Sequence, residues 1–156
     1  MMLAYRLLRL VETHSDALAA GLLERTRNSA LLPGYANVPP EELRQRVHEI
    51  YRHLADWLLG ESELDVKRRY LAIGARRAQQ DVPLSQLIWA IILTKKNLWD
   101  FLKQEAVLDR PAEIFGELEV EELLDRFFDR AIYYAAVGYE QSCVADEAVH
   151  RVSAVV

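Results

Sequence analysis

The sequence predicts an all-α fold: a single bundle of five helices or more, with globin-like packing as a variant of it. Three observations predict it. Apolar residues recur every three to four positions in each long segment, proline and glycine punctuate the chain between segments, and no stretch alternates as a strand would. With 156 residues, 51% of them hydrophobic and 28% charged, the chain can bury one real core and is too short for two ordinary domains. Residues 1–156 are therefore expected to form a single helical domain.

The first helix is expected on Leu3, Leu7, Val11, Leu18 and Leu22, which share one face, and it ends near "LLPGYANVPP". A second begins at Pro40, where proline suits the first turn and Glu41 and Glu42 favour the positive helix end. Its stripe is Leu43, Val47, Ile50, Leu54, Trp57 and Leu58, and Gly60 stops it. The third runs from about Ser62 to Gln80 with Leu64, Leu71, Ile73 and Ala78 inward. Pro83 lacks an amide hydrogen and restrains Val82, so the chain should break there and restart as a fourth helix reaching about Ala106. After "DRPAEIFGE" a last helix carries Leu118, Leu123, Leu124, Phe127, Phe128, Ile132 and Tyr139 almost to the end of the chain.

Composition excludes several functions. A net charge of −5 argues against general nucleic-acid binding, which needs positive charge to displace phosphate counterions. One cysteine, Cys143, can make neither an internal disulfide nor a four-ligand zinc site. The longest apolar run, "LIWAIIL", is far short of the roughly 20 residues that span a bilayer. The amino terminus carries Arg6, Arg9 and Glu12 among its leucines, unlike a secretory signal. A cytoplasmic protein with no membrane partner is expected.

The fourth helix holds more apolar surface than one stripe uses. Leu84, Leu87, Ile91, Leu98 and Leu102 make one face, while Trp89, Ile92, Leu93, Trp99 and Phe101 wrap round the others. Such a helix is the centre of the domain, part of a subunit interface, or both. On the last helix, Phe127, Tyr134 and Gly138 share a face, and Phe128, Ile132, Ala135 and Tyr139 an adjoining one, with small residues that admit a close helix. Trp89, Ile92, Trp99, Phe128, Tyr134 and Tyr139 are accordingly the candidate interface of a homodimer, the commonest symmetric assembly.

No residue is assigned a catalytic, cofactor-binding or metal-ligating role. His14 lies in an apolar stripe, either as a hydrogen-bonded core residue or as a metal or haem ligand; His53 flanks a stripe near Trp57, and both are candidate pocket residues. His48 falls on the solvated side. "EAVH", from Glu147 to His150, matches one Glu-x-x-His element of a di-iron bundle, but such a site needs two elements and two more glutamates. Cys143 and His150 lack a third orienting group. Lys67, Arg68, Arg69, Arg76 and Arg77 either bind a phosphate or acidic partner or form a salt-bridged face; Arg76 and Arg77 also complement a helix carboxyl end. Haem or di-iron binding through His14, His53 or His150 is the alternative function.

The order "PPEELRQRVHEIYRHLADWLLG", then "IGARRAQQDVPLSQLIWAIILTKKNLWDFL", resembles the amino-terminal regulatory domain of the RsbT co-antagonist family, the RsbR-like domains. The matching features are an acidic proline-led helix ending in L-x-x-W-L at Leu54 to Leu58, an R-A-x-x-D-V-P-L turn at Arg77 to Leu84, and a tryptophan late in the next helix, Trp99. The resemblance covers roughly residues 1 to 140 and rests on structural signatures. It implies a dimeric all-helical sensor or regulatory domain in stress-response signalling, similar to a non-haem globin in some relatives, that passes a signal to a downstream output module. No output module follows before Val156, which leaves a stand-alone member or a sensor segment of a longer regulator.

Overall fold

The computed structural model describes residues 2–58, 60, 62–104 and 114–155. Six α-helices and one 3-10 turn occupy them, with no strand among the described residues: α1 Met2–Thr13, α2 Ser15–Asn28, the turn Pro33–Asn37, α3 Pro40–Leu58, α4 Glu63–Gln79, α5 Leu84–Gln104 and α6 Ile114–Val155. No helix in the described residues is long and apolar enough to cross a membrane.

The single first helix of the sequence reading is in fact two. At His14 the backbone leaves the helical region, with φ −114° and ψ 18°. Thr13, His14 and Ser15 are all weak helix formers, and the Ser15 hydroxyl donates to the Glu12 carbonyl at 3.3 Å in competition with the helix ladder. The bend lets α1 and α2 each lean on α3 while Val11, Leu18 and Leu22 still reach the core. The expected loop at residues 33–37 is a short 3-10 turn whose Tyr35 is buried.

In α3 the expected stripe is present, with Val47 and Leu54 buried and Leu43, Ile50 and Trp57 half-buried. Tyr51, outside the expected stripe, is fully buried at its centre. Gly60, at φ +106°, ends the segment as expected. For α4 the inward face needs correction. Leu64 is 58% exposed, and the buried residues are Val66, Tyr70, Gly74, Arg77 and Ala78. The face turned because α4 packs first on α6, and that contact is set by glycine rather than by leucine.

A side chain at Gly74 would lie 2.0 Å from the Ala135 carbonyl oxygen, and one at Gly138 would lie 2.1 Å from that of Leu71. The two helices therefore touch backbone to backbone, running in the same direction, and this is the most extensive helix pair in the chain. The small residues of the last helix, read from sequence as room for another helix, are spent on α4 of the same chain. Helix α5 crosses between α2 and α6, burying Leu87, Ile91, Leu93, Leu98 and Leu102. Phe127 meets Trp57, Tyr70 and Phe128 in tilted and edge-on ring contacts at 5.2–6.0 Å, which close the core. Ala106, and the side chains of Leu3, Leu7, Leu58 and Leu118, lie outside the described residues.

Candidate functional site

Two features could carry function: the polar junction at the α4–α5 break, and the part of α6 that runs beyond the body. The junction is built by a helix stop. Asp81 adopts the left-handed conformation at φ +57°, which aspartate tolerates better than most side chains. The Val82 amide donates to the Arg77 carbonyl and the Asp81 amide to that of Ala78, both at 3.1 Å. That pair of bonds is a Schellman stop, completed by a buried valine and followed by Pro83. Pro83 then starts α5, its carbonyl accepting the Gln86 and Leu87 amides.

This turn aims polar groups inward. Arg77 is only 3% exposed; it donates to Glu42 at 3.2 Å and to the Gln80 amide oxygen at 2.7 Å, with its guanidinium over the Tyr35 ring. Gln80 in turn donates to the other Glu42 oxygen at 2.9 Å, and Arg76 grips both oxygens at 3.1 and 3.2 Å. The Arg76 hydrogen bonds, against the opposing effect of burial and with help from the Arg77 charge, hold the Glu42 carboxyl below its ordinary range. Burial pushes the Tyr35 hydroxyl up. On the other side, the Gly34 amide donates to the Gln86 side chain at 2.6 Å, and Tyr139 of α6 donates to the Val82 carbonyl at 2.7 Å. Glu42, Arg76, Arg77 and Gln80 satisfy one another. The junction ties the 33–37 turn, α3, α4, α5 and α6 together, and Arg76 and Arg77 take the salt-bridged of their two readings.

A second polar contact sits deep between helices. Asn97 of α5, 7% exposed, donates to the Leu18 carbonyl at 3.0 Å and to the Tyr51 hydroxyl at 2.8 Å, and burial pushes that hydroxyl up to about 12. Neither residue was singled out from sequence, because an asparagine among apolar neighbours has no periodic signal.

The six candidate interface residues do not form one patch. Trp89, Ile92 and Trp99 lie along one edge of α5, where Ile92 is 36% exposed and both tryptophans are half-buried against the core. Phe128 is 1% exposed inside the protomer, packed on Phe127, and so is unavailable as surface. Tyr134 donates to Glu63 at 3.2 Å, and Tyr139 is engaged at Val82. Sequence missed the apolar surface that does lie open: Tyr133, and beyond it Val144, Val149 and Val152, each about two-thirds exposed.

The histidines are dispersed. His14 is half-buried, 5.1 Å from the Phe101 ring, with Nδ1 3.2 Å from the Leu10 carbonyl. His53 faces Arg69 across the α3–α4 cleft. His48 is exposed, 3.8 Å from Asp16. His150 and Cys143 are exposed on the far part of α6. Among the described residues no three His, Cys, Asp or Glu side chains cluster as a metal ion would require.

Against this geometry, the family model described as the RsbT co-antagonist protein rsbRD N-terminal domain matches residues 16–151. The chain belongs to that family. The RsbT co-antagonist match spans α2 to most of α6, so both the α4–α5 junction and the projecting helix fall within it. Membership makes the chain an RsbR-like regulatory domain of stress signalling. No curated protein and no solved structure matches it.

Proposed function

We propose that this RsbR-like domain is a non-enzymatic sensor that works as a homodimer and passes its signal by contact with a protein partner. The observation that carries the reading is the end of α6. Past Tyr139 the helix is exposed on nearly every side, yet it presents Val144, Ala148 and Val152 on neighbouring turns. A lone projecting helix gains little from such valines; a second copy laid along it removes them from water, at roughly 25 cal/mol per Å² of apolar surface. The half-exposed α5 edge of Trp89, Ile92 and Trp99 extends the surface available to a partner.

The junction supplies the coupling. Tyr139 holds α6 to the carbonyl at the α4–α5 break, so a ligand or partner that shifts α5 against α6 moves the base of the projecting helix, and the dimer transmits the shift. Such a ligand acts only through different affinity for the two packings. Light scattering tests the assembly: we expect a dimer at micromolar concentration, and a monomer with unchanged helicity for Val144→Glu/Val152→Glu. A wild-type monomer sinks the reading. Haem or stoichiometric iron in the purified protein, seen by visible absorbance and metal analysis, replaces it with the cofactor alternative.

A further inference from the structure

A recess between α3 and α4 is separate from the junction and from the projecting helix. It has a volume of about 220 Å³, below the roughly 300–1,000 Å³ of drug-sized pockets, so its occupant is a small molecule. Its floor is apolar: Ile50 and Ile73 are half-buried there and Tyr70 is buried. Its rim is cationic. Arg46 spends its charge on Glu49 at 3.0 Å, but Arg68 and Arg69 have no ion-pair partner among the described residues, and Arg69 faces the His53 ring.

The His53 contact fixes a proton. A guanidinium can only donate, so the Nε2 that faces Arg69 is the acceptor, and the neutral ring carries its hydrogen on Nδ1. Nδ1 is shielded from water and has no hydrogen-bond partner. An imidazole also cannot neutralise the arginine beside it; burial, and next the Arg69 charge, hold His53 in the neutral form. The recess thus combines an apolar floor with two guanidiniums that have no carboxylate partner among the described residues, beside a ring whose buried N–H is unpaired. A negatively charged acceptor answers the last two features, and an apolar body answers the first.

We infer that the α3–α4 recess of His53, Arg68 and Arg69 is a binding site for a small carboxylate with an apolar body. The carboxylate lies between Arg68 and Arg69, where paired N–H donors suit its two oxygens, and the apolar body rests on Ile50 and Ile73. As it draws Arg69 away from Nε2, the His53 ring is free to turn its N–H toward the ligand. The site names a ligand class for the proposed sensor, and binding there does not require the chain to dimerise.

Phenylacetate is the probe, with phenylacetamide as its uncharged analogue and inorganic phosphate as the bare anion. We expect saturable binding of phenylacetate by calorimetry, with the nitrogen resonances of the His53 ring moving on titration. Arg68→Gln/Arg69→Gln, at two exposed positions whose change leaves the circular dichroism intact, weakens binding at least about tenfold. The inference is overturned if phenylacetate fails to bind at millimolar concentration, if the double variant binds as well as the wild type, or if either control binds as tightly as the acid.

Discussion

The hydroxyl of Tyr139 donates to the main-chain carbonyl of Val82 at 2.7 Å, joining the middle of the longest helix to the residue where α4 stops and α5 begins. Val82 is fully buried, so its carbonyl has no water to fall back on. Tyr139→Phe keeps the ring and removes the donor. The expected cost is about 1–2 kcal/mol in urea unfolding, with a fall in Tm of a few degrees. An unchanged midpoint would show that the bond contributes nothing.

Gly74→Ala and Gly138→Ala each place a methyl group about 2 Å from a backbone oxygen of the facing helix, where no rotamer change can make room. Separating α4 from α6 is expected to cost about 2–4 kcal/mol, or to leave the chain unfolded. Gly21→Ala is the contrast. Its new methyl meets only the Asn97 side chain at 3.3 Å, and alanine is the better helix former, so a change within about 1 kcal/mol is expected. Equal losses at all three glycines would refute the backbone-contact account.

Glu42 and its arginines are unequal partners. Removing the carboxylate with Glu42→Ala strands a buried guanidinium that retains Gln80, and should cost about 2–4 kcal/mol, whereas Arg76→Ala at the exposed edge should cost far less. Because the folded carboxyl titrates below its unfolded value, its contribution is complete above that value, about 4.3, and is lost as pH falls through the folded one. The stability gap between wild type and Glu42→Gln should therefore close in acid. Chemical unfolding at neutral pH and at about pH 3 checks both statements.

His53 gives a second pH dependence in a different window. Its folded form resists protonation, so unfolding takes up a proton once pH drops to the unfolded value of about 6.5. Its contribution is complete above that pH and declines as pH falls below it toward the folded value. The difference in unfolding free energy between wild type and His53→Gln should shrink from about pH 7.5 to pH 5. A constant difference across that range would mean that His53 does not titrate as described.

Much of the fold was legible because helical periodicity, proline and glycine are local signals. Val47, Leu54, Leu87, Leu98, Leu124 and Phe127 all lie where their spacing put them, Gly60 ends its segment, and the chain breaks before Pro83. The bend at His14 was hidden because the apolar stripe runs straight through it. Leu64 misled for the opposite reason: its spacing suited a core face, but α4 turned its glycine toward α6 instead.

Local signals along the chain were enough to read its helical class, the stops marked by proline and glycine, and the family to which it belongs, because each depends on residues close together in sequence. Tertiary structure alone decided which groups meet. Tyr139 at Val82, Glu42 between two arginines, Asn97 on Tyr51 and His53 against Arg69 join residues that are 16 or more positions apart, and most of them are polar. A polar side chain in a helix carries no mark of its partner. Only the crossing of the helices shows which groups leave water together and must therefore satisfy one another.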